Sequence, residues 1–112
     1  MKAKRVLIAD DSTPARKAIR TLLKGDSGFE VVGEAEDGSQ ALVLAKEIKP
    51  DLVLMDINMP GYDGLLATRL IKRELPRMVV VMLTVSDDAG DLFEAIRSGA
   101  QGYLLKSLEP ED

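Results

Sequence analysis

Four short apolar runs along this chain lack the in-and-out alternation of a half-solvated strand. They are Val6-Leu7-Ile8-Ala9, Leu52-Val53-Leu54-Met55, Val79-Val80-Val81-Met82-Leu83 and Tyr103-Leu104-Leu105. Runs of that length and uniformity suit strands covered on both faces, which in practice means a parallel sheet between helices. A further strand over residues 29–35 contains Gly33 and ends among Glu34, Glu36 and Asp37, so it reads as an edge strand. Segments with helical spacing lie between the runs, and strand–helix alternation from end to end predicts βαβ units and an α/β fold. At 112 residues the chain is one domain, able to bury about two thirds of its extended surface.

The first helix is expected after Ser12 or Thr13 as cap, with Pro14 in its first turn, where a missing N–H costs nothing. Ala15, Ala18, Ile19, Leu22 and Leu23 are its expected buried face, and Gly25 its stop. Arg16, Lys17, Arg20 and Lys24 read as a solvated face of the same helix. The second helix is expected over residues 38–49, buried along Ala41, Leu44, Ala45 and Ile48 and ended by Pro50. A third runs from about Leu65 to Glu74, after the turn-rich Asn58-Met59-Pro60-Gly61-Tyr62-Asp63-Gly64, in which Asp63 reads as a cap. A fourth carries Leu92, Ala95 and Ile96 between Ser86 or Asp87 and Gly99. The final Ser107-Leu108-Glu109-Pro110-Glu111-Asp112 reads as a helix start. Helices must flank both faces of a doubly wound sheet, and here one face has the first helix alone, so the last helix is expected to be truncated.

The strand ends carry the chemistry. Asp10 and Asp11 follow the first, Asp56 ends the third, Thr84 the fourth, and Lys106 the fifth. Alone, each has an ordinary reading: a helix-capping turn, a strand-end acid, a β-branched strand residue, an exposed lysine. In open parallel sheets, however, ligands bind at the carboxyl ends of the strands, where all five would meet. Three carboxylates in one place repel unless one is protonated or a cation joins them. An all-oxygen set suits a hard divalent ion, Mg²⁺ before Ca²⁺ or Mn²⁺. The chain has no histidine and no cysteine, which excludes thiol catalysis, cysteine–histidine zinc sites and an imidazole base. With an ammonium and a hydroxyl added, the set forms an electrostatic clamp for phosphoryl transfer, Asp56 being the nucleophile that becomes an acyl phosphate. A net charge of −4 argues against nucleic acid as a direct partner, and no apolar run is long enough to span a membrane.

These motifs, Leu7-Ile8-Ala9-Asp10-Asp11-Ser12, the Leu54 to Gly64 stretch, Leu83-Thr84 and Gly102-Tyr103-Leu104-Leu105-Lys106, resemble the receiver domain of two-component response regulators. The resemblance covers essentially the whole chain, and its 99–106 stretch is similar to the NarL/FixJ class, whose output is a LuxR-type helix-turn-helix. It implies a flavodoxin-like five-stranded sheet of order 2-1-3-4-5, with residues 1–112 as the receiver and a DNA-binding domain beyond residue 112. It implies Asp56 as phospho-acceptor from a histidine kinase and Lys106 as the bridge to phosphate. Thr84 and Tyr103 become the switch pair. Mg²⁺ would be held by Asp10, Asp11, Asp56 and the backbone carbonyl of Asn58. A cytoplasmic protein that forms a homodimer on activation, and is an enzyme only in its own phosphotransfer and dephosphorylation, completes the expectation.

Two positions depart from the pattern. Ser107 stands where the family often has a cis proline, so a trans Lys106–Ser107 bond is expected. Branched Val85 follows the switch hydroxyl where a small residue is usual, which bears on phosphorylation rates. Two other functions compete. A haloacid-dehalogenase-like phosphatase shares the aspartyl phosphate, but its Asp-x-Asp-x-Thr motif is not supplied by Asp10-Asp11-Ser12-Thr13. A receiver-like docking domain would never take phosphate.

Overall fold

The computed structural model describes residues 3–25, 27–57, 59, 64–84 and 102–105, with residues 84 and 102–105 as backbone. Strands β1 (Lys4–Ala9), β2 (Phe29–Ala35), β3 (Leu52–Asp56), β4 (Val79–Thr84) and β5 (Gly102–Leu105) alternate with helices α1 (Thr13–Lys24), α2 (Gly38–Ile48) and α3 (Gly64–Glu74). All strand pairs are parallel, and the order is β2-β1-β3-β4-β5, as expected. The order reverses between β1 and β3, so the loops leaving those two strands diverge and open a crevice at their carboxyl ends.

Side-chain parity divides the core. Leu7, Ala9, Val53, Met55, Val80 and Met82 face α2 and α3, where Ala41, Ala45, Ala67 and Ile71 are fully buried. Val6, Ile8, Leu54 and Leu83 pack on the opposite face with half-buried Ile19 and Leu23 of α1. On this second face Val79 is 37% exposed and Val81 half-buried.

Local chemistry accounts for the helix ends. Ser12 is the cap of α1: its Oγ accepts from the Ala15 amide at 3.2 Å. Asp37 does the same for α2, accepting from the Gln40 amide at 2.8 Å. At the other end of α2, Lys49 takes a left-handed backbone (φ 50°) just before Pro50. Arg5 stabilises that end, donating to the carbonyls of Lys49 at 3.0 Å and Ile48 at 3.1 Å. In β2 the register slips by one residue opposite Val6 and Leu7, a bulge next to Gly33. A methyl group on Gly33 would come within 2.9 Å of the Ile48 side chain, so glycine lets α2 sit down on the edge strand.

The buried face of α1 corrects the sequence reading. Leu22 is 77% exposed and Ala18 is exposed, whereas Arg16 is buried. The stripe facing the sheet runs through Arg16, Ile19 and Leu23, an i, i+3, i+7 set displaced around the helix from the one expected. The solvated face therefore keeps Lys17, Arg20 and Lys24 but loses Arg16. The fourth helix, its caps and the Ser107 peptide bond lie outside the described residues.

Candidate metal and phosphoryl site

The site is built by strand ends. β1 finishes at Ala9, and the Asp10 amide extends its ladder by one bond, donating to the Ala35 carbonyl of β2 at 3.0 Å. The chain then turns sharply: the Ser12 amide donates to Asp10 Oδ1 at 2.9 Å before Ser12 caps α1. Such an aspartate-centred turn sends Asp10 inward and leaves Asp11 at the surface. Asp10 is fully buried, Asp11 exposed. Asp56, 5% exposed, closes β3 on the same side of the sheet, since Asp10 and Asp56 continue the parity of Val6, Ile8 and Leu54. One carboxylate oxygen from each of Asp10, Asp11 and Asp56 lies within 4.8 Å of the other two.

Glycine at residue 64 is what permits Asp56 to sit there. A Cβ on Gly64 would stand 1.9 Å from the Asp56 carbonyl oxygen and 2.8 Å from Cα of Ile57. The first turn of α3 is thus pressed against the end of β3, and the Gly64 amide donates to the Ile57 carbonyl at 2.8 Å. No side chain larger than hydrogen fits between them.

Thr84 ends β4, and the β4–β5 register pairs Met82 with Tyr103 and Thr84 with Leu105. The backbones of Thr84 and Tyr103 therefore lie on adjacent strands, two register steps apart. β5 ends at Leu105, at the same carboxyl edge of the sheet as the ends of β3 and β4; Lys106, Asn58 and Val85 are outside the described residues.

Two structural residues escaped the sequence reading. Arg16 donates from Nη1 to the Asp10 carbonyl at 2.6 Å, from Nη2 to Thr13 Oγ1 at 3.1 Å and from Nε to Glu34 Oε1 at 3.0 Å. Glu34 also pairs with Arg20 through its second oxygen. The only signal was spacing, since Arg16 is in phase with Ile19 and Leu23. Gly64 stood in the sequence only as the end of a turn-rich stretch; its close approach to Asp56 is visible in three dimensions alone.

The donor set passes the chemical test for a hard cation. It is three carboxylates, two of them shielded from water. At separations near 4 to 5 Å and an effective dielectric near 20, two such charges repel by about 3 to 4 kcal/mol, which a divalent ion between them reverses.

A model of the response regulator receiver domain matches residues 6–112. The chain belongs to the response regulator receiver family. It is 43% identical over 106 residues to the nitrate/nitrite response regulator protein NarP of Escherichia coli, covering 95% of this chain and 49% of NarP. It is 46% identical over 108 residues to a protein-glutamate methylesterase/protein-glutamine glutaminase of Myxococcus xanthus, covering 96% of this chain but 31% of that protein. A LuxR-family two-component response regulator from Aurantimonas superposes with a TM-score of 0.91 at 33% identity, over 96% of this chain and 77% of the other. The chain thus spans about half the length of NarP and about a third of the methylesterase.

Proposed function

We propose that this receiver takes a phosphoryl group from a histidine kinase onto Asp56 and passes the signal on as a change at its surface. The observation that supports this most strongly is the meeting of Asp10, Asp11 and Asp56 at the carboxyl edge of the sheet. Those three carboxylates, with the Asn58 carbonyl, are the residues that would hold Mg²⁺. When bound, the ion neutralises charge on the phosphoryl oxygens. The rest is the work of the chain. An Asp56 carboxylate oxygen attacks phosphorus as the phosphorus–nitrogen bond of the donor phosphohistidine breaks, and the imidazole leaves with the bonding pair and takes up a proton. Burial of Asp56 favours this, because a carboxylate stripped of water is a better nucleophile and the acyl phosphate is shielded from hydrolysis. Lys106 supplies the ammonium opposite, and the Thr84 hydroxyl donates to the new phosphoryl group.

Turning Thr84 towards phosphate frees the space behind it for Tyr103, a shift between two packings that exist beforehand. The adjacent-strand register of the two residues supports this pairing. The altered face then engages a second copy or an output domain. Likeness to NarP and to a LuxR-family regulator favours a DNA-binding domain beyond residue 112, with DNA reached through that domain. The chemistry is stoichiometric and self-directed, and the place of action is the cytoplasm. No helix among the described residues is long and apolar enough to cross a membrane.

Beryllofluoride with Mg²⁺ mimics the acyl phosphate and tests the assignment. We expect it to shift the amide resonances of Thr84 and Tyr103 in the wild-type protein and to bind hardly at all to Asp56→Asn. Equal binding by that variant would remove Asp56 as the acceptor.

A further inference from the structure

We propose that Arg16 is a positioning residue for the metal pocket. Its guanidinium holds the β1–α1 turn in the shape that presents Asp10 and Asp11 together, while Glu34 offsets its charge. The inference rests on the reading of Asp10, Asp11 and Asp56 as a Mg²⁺ site.

A guanidinium buried to 7% exposure is strongly disfavoured unless it is paired and hydrogen-bonded. The bonds that offset this cost converge on the turn. One donor holds the Asp10 carbonyl, the point where β1 stops pairing; another holds Thr13 in the first turn of α1; the third is tied to Glu34 on β2. Asp10 is thereby fixed at its amide by Ala35, at its carbonyl by Arg16 and at its carboxylate by the Ser12 amide. Asp11 lies between these anchored points, so its backbone is held on both sides. A planar fork reaches three acceptors in different directions, and a lysine ammonium at the end of a flexible stem does not.

Charge alone argues the other way. A cation beside a divalent-ion pocket opposes metal binding, and the Glu34 carboxylate counteracts that. Removing the guanidinium therefore has two consequences of opposite sign, loss of position and relief of repulsion. Arg16→Lys keeps the charge and isolates the positional part.

The test is a titration of the wild-type protein and Arg16→Lys with MgCl₂, followed by amide chemical shifts, alongside amide hydrogen exchange without Mg²⁺. We expect the half-saturating Mg²⁺ concentration to rise roughly 10-fold, the scale on which residues supporting metal ligands act. The Ser12 amide should lose protection while those of Val53 and Met55 keep theirs. Affinity within twofold of wild type, or a loss of protection shared equally by β3, overturns the proposal. Glu34→Gln is the second variant, because it leaves the arginine on Asp10. It should bind Mg²⁺ about threefold more weakly, from the uncompensated cation, with Ser12 protection intact; tighter binding contradicts the account. A wild-type protein that binds no Mg²⁺ would overturn the metal site itself and this proposal with it, whereas unchanged affinity in Arg16→Lys overturns this proposal alone.

Discussion

Gly64 shows how much one residue decides at this site. Its missing side chain lets α3 press against the carbonyl of Asp56, and a methyl group there would overlap that oxygen at 1.9 Å. The Asp56 backbone cannot yield without moving its carboxylate, because its neighbours in β3 are paired on both sides. Gly64→Ala should therefore lower unfolding free energy by roughly 1–3 kcal/mol, at the upper end of that range, as overpacking does. It should also slow phosphorylation of the molecules that remain folded. Denaturant midpoints and labelling rates measured side by side check this; an alanine variant with wild-type stability would mean that the contact is far looser than it looks. The clustering of Asp10, Asp11 and Asp56 was legible because those residues end or directly follow recognisable strands. Gly64 was not, since contact between a helix start and a strand end leaves no periodic trace in a sequence.

Elements were legible to the extent that their hydrophobic spacing was unambiguous. β3 was read over Leu52–Asp56, and the apolar side of α2 proved to hold Ala41 and Ala45 fully buried. α1 was harder, because its small and apolar residues wrap around most of its surface. Ala15, Ala18 and Leu22 look like a core stripe until Arg16 turns out to occupy the sheet-facing position, bonded to Asp10 and Glu34. A charged residue is assigned to solvent by default, and only its partners on β1 and β2 reverse that. The end of α2 was read correctly from Pro50, but the left-handed Lys49 before it could not be. A non-glycine residue there costs about 1–2 kcal/mol of backbone energy, part of which glycine gives back as chain entropy. Lys49→Gly should accordingly stabilise the protein by about 0.5 to 1 kcal/mol, since Arg5 contacts only the backbone carbonyl at that position. A lower denaturation midpoint in that variant would contradict the strain assigned to Lys49.

At the scale of the molecule, the described residues pack unequally on the two sheet faces. Among them, the face under α2 and α3 holds fourteen buried residues in one cluster and the α1 face four, with Ile19 and Leu23 half-buried. Truncation costs should follow this division. Ile71→Ala, in the larger cluster at 0% exposure, should cost about 3–5 kcal/mol, and Ile19→Ala about 1–2 kcal/mol for its partial burial. Equal losses in thermal or urea unfolding would show that the α1 face is as tightly packed as the other. The topology was readable from the strand–helix alternation, and the crevice it creates is why the sequence alone assigns distant residues such as Asp10 and Asp56 to one place. The most direct test is phosphotransfer from a small-molecule phosphodonor with Mg²⁺, the modified residue mapped by mass spectrometry. The account predicts one phosphoryl group per chain, on Asp56 and dependent on Mg²⁺. Phosphate found elsewhere, or none while the protein remains folded, would contradict it.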